Sequence, residues 1–143
     1  MQTLTYFAKL EPDEDGSVIV SFPDVPEALT AGDDRDEALS NAADALGVAL
    51  LAILDAGREL PVPTTRGGGL APITPSAQDA AKLAVISAWR ESGLSKVAFA
   101  KRLGVDERAA RKILDPREAT KLPALEAALR ALGKRLVISV EAA

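Results

Sequence analysis

The 143-residue chain has no cysteine and no histidine. That excludes disulfides, thiolate zinc sites, a cysteine nucleophile and every histidine-based triad or metal cluster. An enzyme made from these residues would have to run on carboxylates, lysines or hydroxyls. Aromatic residues are only 3% of the chain, too few for a surface on which single-stranded RNA could stack. The longest apolar stretch, residues 46–54, is too short to span a bilayer. Residues 1–10 alternate polar with apolar and lack the charged start and continuous apolar run of a signal peptide. A soluble cytoplasmic protein is therefore expected, and a hydrophobic content of 48% is enough for packed cores.

The chain carries a net charge of −4, but the two signs are segregated. Residues 1–70 hold thirteen acids against four bases, a net −9, whereas residues 71–143 hold eight acids against thirteen bases, a net +5. An asymmetry of this size between halves points to two functions. The basic half could face nucleic acid while the acidic half faces something basic.

Hydrophobic patterning divides the chain at nearly the same place. Leu4, Tyr6, Ala8 and Leu10 alternate with polar neighbours, as do Val18, Val20 and Phe22, so two half-buried strands are predicted. "EPDEDG" between them reads as a polar hairpin loop. Two prolines in "FPDVPEALTAG" leave room for a turn and a brief strand at residues 29–31. Asp33 and Asp34 then stand before a long helix with Asp36 and Glu37 in its first turn, ended by Gly57. "PVPTTRGGGL" reads as a flexible connection, with a short strand at residues 70–73 returning to the sheet. The first unit is thus approximately β-β-β-α-β. From Ser76 onward only helices are predicted, at residues 76–92 with Ala80, Leu83, Ala84 and Ala88 inward, then from a cap at Ser95, then 106–114 and 122–132. "RLVISVE" closes the chain as a strand. The expected class is α+β, with domains at residues 1–74 and 75–143.

"KVAFAKRLGVDERAARKIL" has the requirements of a helix-turn-helix. Ala100 is small where a second helix crosses closely, Gly104 tolerates the turn, and Phe99, Leu103, Val105 and Ile113 supply the inner faces. Arg108, Arg111, Lys112 and Asp115 follow at i, i+3, i+4 and i+7, a single stripe that can enter a major groove. Lys96, Lys101, Arg102 and Lys121 are placed to meet phosphates. The plainer reading is a helical hairpin with a solvated basic face.

Clustered carboxylates in the first half invite a metal-dependent nuclease reading. Asp13, Glu14, Asp15, Asp24, Asp33 and Asp34 all fall in turns or at a helix start, and the first strand contributes no carboxylate, which argues against it. No metal site, cofactor or catalytic residue is expected. An acidic unit without catalytic groups is most simply a binding module for a basic protein, with Asp24, Glu27, Asp33 and Asp34 as candidate contacts. The alternative is a stand-alone transcriptional regulator whose first domain senses a small ligand.

Two segments together resemble one family. "YFAKLEPDEDGSVIVSFPDVPEALTAGDDRDEALSNAADAL" is similar to the opening of the HicB antitoxins of bacterial toxin–antitoxin pairs, and "SKVAFAKRLGVDERAARKILDP" with its flanking helices is similar to their helix-turn-helix version. Glu27 stands where that family often has glycine after the second proline. The resemblance implies a partial ribonuclease-H-like domain that binds and blocks a small basic HicA toxin, an mRNA-cleaving protein. It also implies a dimerising C-terminal domain, in a homodimer or dimer-based tetramer, that binds double-stranded operator DNA.

Overall fold

The alternation at the start of the chain becomes a sheet because its apolar positions all need the same cover. In the computed structural model, which describes residues 3–142, β1 (Tyr6–Pro12) pairs antiparallel with β2 (Val18–Ser21) in the register Lys9 to Ser21 and Glu11 to Ile19. β3 (Leu29–Gly32) continues the meander by pairing Val18 with Gly32 and Ser21 with Leu29. β4 (Ala71–Ile73) returns on the other side of β1, with Tyr6 opposite Ile73, so the order is β3-β2-β1-β4. Residues 1, 2 and 143 lie outside the described residues, including the first two of the N-terminal stretch read above.

One face of this sheet is covered by α1 (Arg35–Asp55), which buries Ala38, Ala42, Leu46, Leu50, Ile53 and Leu54. Against it lie Tyr6, Ala8 and Val20, all almost fully buried. Asp34 caps α1 by accepting the Glu37 N–H at 2.8 Å, and Glu37 Oε1 accepts the N–H of Asp33, just ahead of the cap, at 3.1 Å. Gly32 has no alternative at the close approach of β3 to α1: a Cβ there would lie 2.3 Å from the Ala38 nitrogen. At 21 residues α1 is long and apolar enough to cross a bilayer, beyond the 46–54 stretch, but its buried side packs on the sheet as a core helix does.

The helical region follows as α2 (Ala77–Ser92), α3 (Lys96–Leu103), α4 (Glu107–Leu114) and α5 (Leu122–Ala131). The chain divides into two compact units, Met1–Ala80 and Ala81–Ala143. The second has its own core of Val85, Phe99, Ala100, Ala110, Ile113, Leu114, Leu125, Ala128 and Leu129. α2 departs from the single stripe expected of it. Leu83 and Ala88 are buried, Ala80 and Ala84 are half-buried, and Ala81, Lys82, Val85 and Ile86 are buried as well, because the helix is enclosed over a wider arc.

Two local expectations are corrected. The "PVPTT" stretch is no free linker, because Tyr6 and Asp24 hold it by hydrogen bonds at Pro61, Thr64 and Thr65. The terminal strand does not form: among the described residues, 134–142 have no ladder partner, and a lone strand cannot satisfy its backbone groups. Leu136 packs on the helical core, while Val137, Ile138 and Val140 are exposed.

A candidate nucleic-acid interface and an acidic sheet unit

The geometry of the basic helices is fixed by caps at each end. Ser95 Oγ accepts the Ala98 N–H at 3.0 Å to start α3. Gly104 ends it in the left-handed region at φ 78°, donating to Ala100 O at 2.9 Å, while the Val105 N–H bonds the same carbonyl at 3.0 Å. Only two residues later Asp106 Oδ1 accepts the Ala109 N–H at 2.7 Å and starts α4. So tight a turn needs small residues where the helices meet, and Ala100 and Ala110 are both buried there, against Phe99. Val105, expected on the inner face, is exposed at the turn.

α4 presents Arg108, Arg111 and Lys112 to solvent on one side. Asp115, read as the fourth member of that stripe, leaves it: the backbone becomes extended at this residue, and its carboxylate accepts the Arg117 N–H at 3.0 Å and Nε–H at 3.4 Å. Those bonds hold Asp115 below the usual carboxylate range, the Arg117 backbone N–H first among them. Arg111 donates to Glu107 Oε1 at 3.2 Å, an exposed pair one turn apart. Lys101 and Arg102 lie exposed in the last turn of α3, Lys96 is exposed in its first turn, and Lys121 is exposed at the N-cap position of α5.

Sequence reasoning missed Lys82. Its residue is only 3% exposed, yet Nζ donates to the Lys112 carbonyl at 2.9 Å and to Thr120 Oγ1 at 2.8 Å. Thus α2 reaches the C-terminal turn of α4, where the Lys112 carbonyl otherwise has only the long Asp115 N–H bond at 3.3 Å, and ties it to the segment entering α5. Burial pushes the ammonium down to about 8, against the opposing pull of the Asp115 and Glu118 charges. A lysine in an amphipathic helix ordinarily reads as solvated, so only its place beside Ala81 and Leu83 hinted at this.

In the sheet unit three of the four predicted acidic residues, Asp24, Glu27 and Asp34, are engaged in building the fold. Asp24 accepts four hydrogen bonds, from the backbone N–H groups of Thr64 and Thr65 at 2.9 and 2.8 Å and from both hydroxyls at 2.9 Å. Its carboxyl is held below the ordinary range, mainly by the Thr65 N–H. Tyr6 Oη donates to Pro61 O at 2.6 Å, and Glu27 pairs with Arg58 at 3.1 Å. Residues 58–65 are therefore a strap fastened to the sheet unit, and the run of left-handed glycines begins after it, at Gly67. Asp33 is exposed and Asp34 is the α1 cap. The hairpin acids also fold locally: Asp15 Oδ1 accepts the Ser17 hydroxyl at 2.6 Å. Among the described residues no group of three or more His, Cys, Asp or Glu is placed to hold a metal ion.

Residues 5–84, which take in the whole sheet and α1, match the model of a family described as HicB-like antitoxin of bacterial toxin–antitoxin systems. The chain belongs to the HicB-like antitoxin family. Its likeness to HicB proteins extends through the helical unit as well. Antitoxin HicB 1 of Photorhabdus laumondii is 36% identical over 141 residues, 99% of this chain and 90% of its own length. Antitoxin HicB of Pseudomonas fluorescens is 39% identical over 134 residues, covering 92% of this chain and 90% of that one. Antitoxin HicB of Escherichia coli is 31% identical over 133 residues, with 93% and 96% covered. As a HicB-family antitoxin the chain is not an enzyme. The exposed cations of α4 then belong to a helical region consistent with DNA binding.

Proposed function

We propose that this antitoxin neutralises a cognate HicA-like toxin, a small basic mRNA-cleaving protein, through its acidic sheet unit and represses its own operon through the helical unit. The observation that carries the second half is the tight α3–Gly104–α4 turn with Arg108, Arg111 and Lys112 exposed along α4. A stripe of this kind enters the major groove, where arginine reads guanine edges with paired donors. Lys96, Lys101, Arg102 and Lys121 meet phosphates, which position the helix without reading sequence. The acidic unit supports the first half because a net −9 over residues 1–70 speeds encounter with a basic partner and disfavours acidic ones.

The active form is a dimer or dimer-based tetramer in the cytoplasm. The exposed Val137, Ile138 and Val140, without a ladder partner among the described residues, favour pairing with a second copy. Two α4 helices then match a palindromic operator whose half-sites lie about one helical turn apart. Light scattering at micromolar concentration tests this, and a monomer overturns it.

The test of function is co-expression with the product of the small basic reading frame beside the gene, followed by binding of the purified chain to its own promoter DNA. Co-purification with relief of growth arrest supports neutralisation. Promoter binding that weakens with salt at a slope of about 0.9 per phosphate neutralised supports repression. Promoter binding without co-purification or relief leaves a DNA-binding regulator whose first unit has another ligand.

A further inference from the structure

α1 covers one face of the sheet; on the other, Lys9, Glu11, Ile19, Leu29 and Ala31 are exposed while Phe7 and Ser21 are half-buried. The strand registers build two rows across that open face, Lys9–Ser21–Leu29 and Glu11–Ile19–Ala31. Leu29 is 68% exposed and Ile19 is 37% exposed, and Ala31 beside them is exposed too. On β1 the same rows carry the Lys9–Glu11 pair at 3.6 Å, so the face is neutral on one side and apolar on the other. Exposed leucine and isoleucine grouped on adjacent strands are what a partner, rather than water, would cover.

The chain direction adds charge to this patch. β1 runs out at Pro12, opposite Val18, which is opposite Gly32. The β1–β2 loop and the entry to α1 therefore leave the sheet at the same end. Asp13, Glu14 and Asp15 lie in the first and Asp33 and Asp36 in the second, all exposed. Ile19 and Ala31 therefore lie beside a strand end rich in exposed carboxylates, with Leu29 at the far end of β3.

We infer that the open face of β2 and β3, centred on Ile19, Leu29 and Ala31 with the carboxylates at its Gly32 end as rim, is the surface on which the basic toxin docks. This rests on the neutralising role proposed above and places it away from Asp24 and Glu27, whose carboxylates are engaged with Thr64, Thr65 and Arg58. A desolvated apolar centre with a charged rim is the ordinary anatomy of an interface, the centre supplying affinity and the rim the encounter rate. A second copy of this chain is disfavoured on the same surface, because it would bring a second unit of net −9 against the first. Docking by addition of a strand to the edge of β3 is disfavoured as well: Asn41 Nδ2 from α1 already donates to the Ala31 carbonyl at 2.9 Å.

The test uses the full chain and the product of the neighbouring small basic reading frame, with affinity measured by calorimetry. Leu29→Lys and Ile19→Lys replace exposed apolar groups with the partner's own charge, and each should weaken binding about tenfold or more. Val48→Lys makes the same change at a 69% exposed position of α1, on the covered side of the sheet, and should leave binding unchanged. Unaltered thermal melting of all three shows that loss of binding is not loss of fold. Wild-type binding that survives both Leu29→Lys and Ile19→Lys overturns the docking face and leaves neutralisation standing. No wild-type binding overturns both.

Discussion

The two units use charge in opposite ways. In the sheet unit three acidic side chains are structural: Asp24 clasps the 58–65 strap, Glu27 holds Arg58 and Asp34 caps α1. In the helical unit the cations stand out from a small apolar core, and α4 carries three of them on an exposed face. Lys82 is the exception, a cation turned inward to hold the helix that displays the others. Net charge by region therefore reports the character of a surface but not which residues make it. A carboxylate with four donors is no more available to a partner than a backbone carbonyl in a helix.

Separate unfolding of the two cores would sharpen this contrast most. The chain has one tryptophan and one tyrosine, and they report on different units: Trp89 packs on the helical core and Tyr6 lies buried in the sheet unit. Phe99→Ala removes a fully buried ring between α3 and its neighbours. It should cost about 3–5 kcal/mol, seen as an early Trp89 fluorescence transition with loss of promoter binding. Toxin binding should persist. Equal loss of both activities would mean that the units do not work as separable modules.

Lys82 tests whether an inward cation serves the outward ones. Lys82→Ala leaves the Lys112 carbonyl and the Thr120 hydroxyl without this donor and should cost about 1–3 kcal/mol. Lys82→Met fills the space without a charge and should recover part of the stability but not the promoter affinity, because α4 loses its tie at Lys112. The pH dependence separates the two effects. Burial lowers the folded-state value to about 8 while the unfolded lysine stays near 10.5. The unfolded chain then binds more protons between these values, and wild-type stability gains as pH rises through that window. Lys82→Met lacks the gain. Melting curves of the two proteins at matched pH read the difference directly, since every other group titrates in both.

Most of the architecture was legible from local signals. The period-two alternation gave β1 and β2, and Ser95, Gly104 and Asp106 announced the two helices of the turn, because caps are written within three or four residues of the groups they satisfy. What stayed hidden depends on distance in sequence. Asp24 meets Thr64 and Thr65 across 40 and 41 residues, and Lys82 meets Lys112 and Thr120 across 30 and 38. Composition made "PVPTTRGGGL" a linker, whereas two threonine hydroxyls and a carboxylate make its first half a strap. The terminal "RLVISVE" has strand composition but no partner strand among the described residues.

Asp24 offers a smaller but site-specific effect. Its carboxyl is lowered by hydrogen bonds, so its contribution to stability is present above the ordinary carboxylate value and is lost as pH falls through the depressed one. Asp24→Asn should flatten the acid limb of the melting curve relative to wild type. The same variant touches the lone tyrosine. Tyr6 titrates above its ordinary value of 10.0, first because it is buried and second because of the Asp24 charge. In Asp24→Asn the phenolate absorbance should therefore appear at lower pH than in wild type, while still above 10.0. An unchanged midpoint would place Asp24 away from Tyr6 in solution and break the description of residues 58–65 as a strap.

The smallest expected effect bears on the helix that faces DNA. Glu107 and Arg111 form an exposed pair one turn apart, and pairs of this kind contribute about 0.2–0.5 kcal/mol. Glu107→Gln should therefore barely move the melting temperature. Promoter binding should respond more strongly, and in the opposite direction: the change frees Arg111 for a base or phosphate and removes a carboxylate that repels the backbone. Arg111→Ala should instead cost about 1–3 kcal/mol and relax one base preference if the guanidinium reads a base edge. In the double variant the gain from Glu107→Gln should shrink, because part of it acts through Arg111. If Glu107→Gln strengthens binding equally with and without Arg111, the ion pair has no part in recognition, and the exposed cation that reads sequence is Arg108 or Lys112.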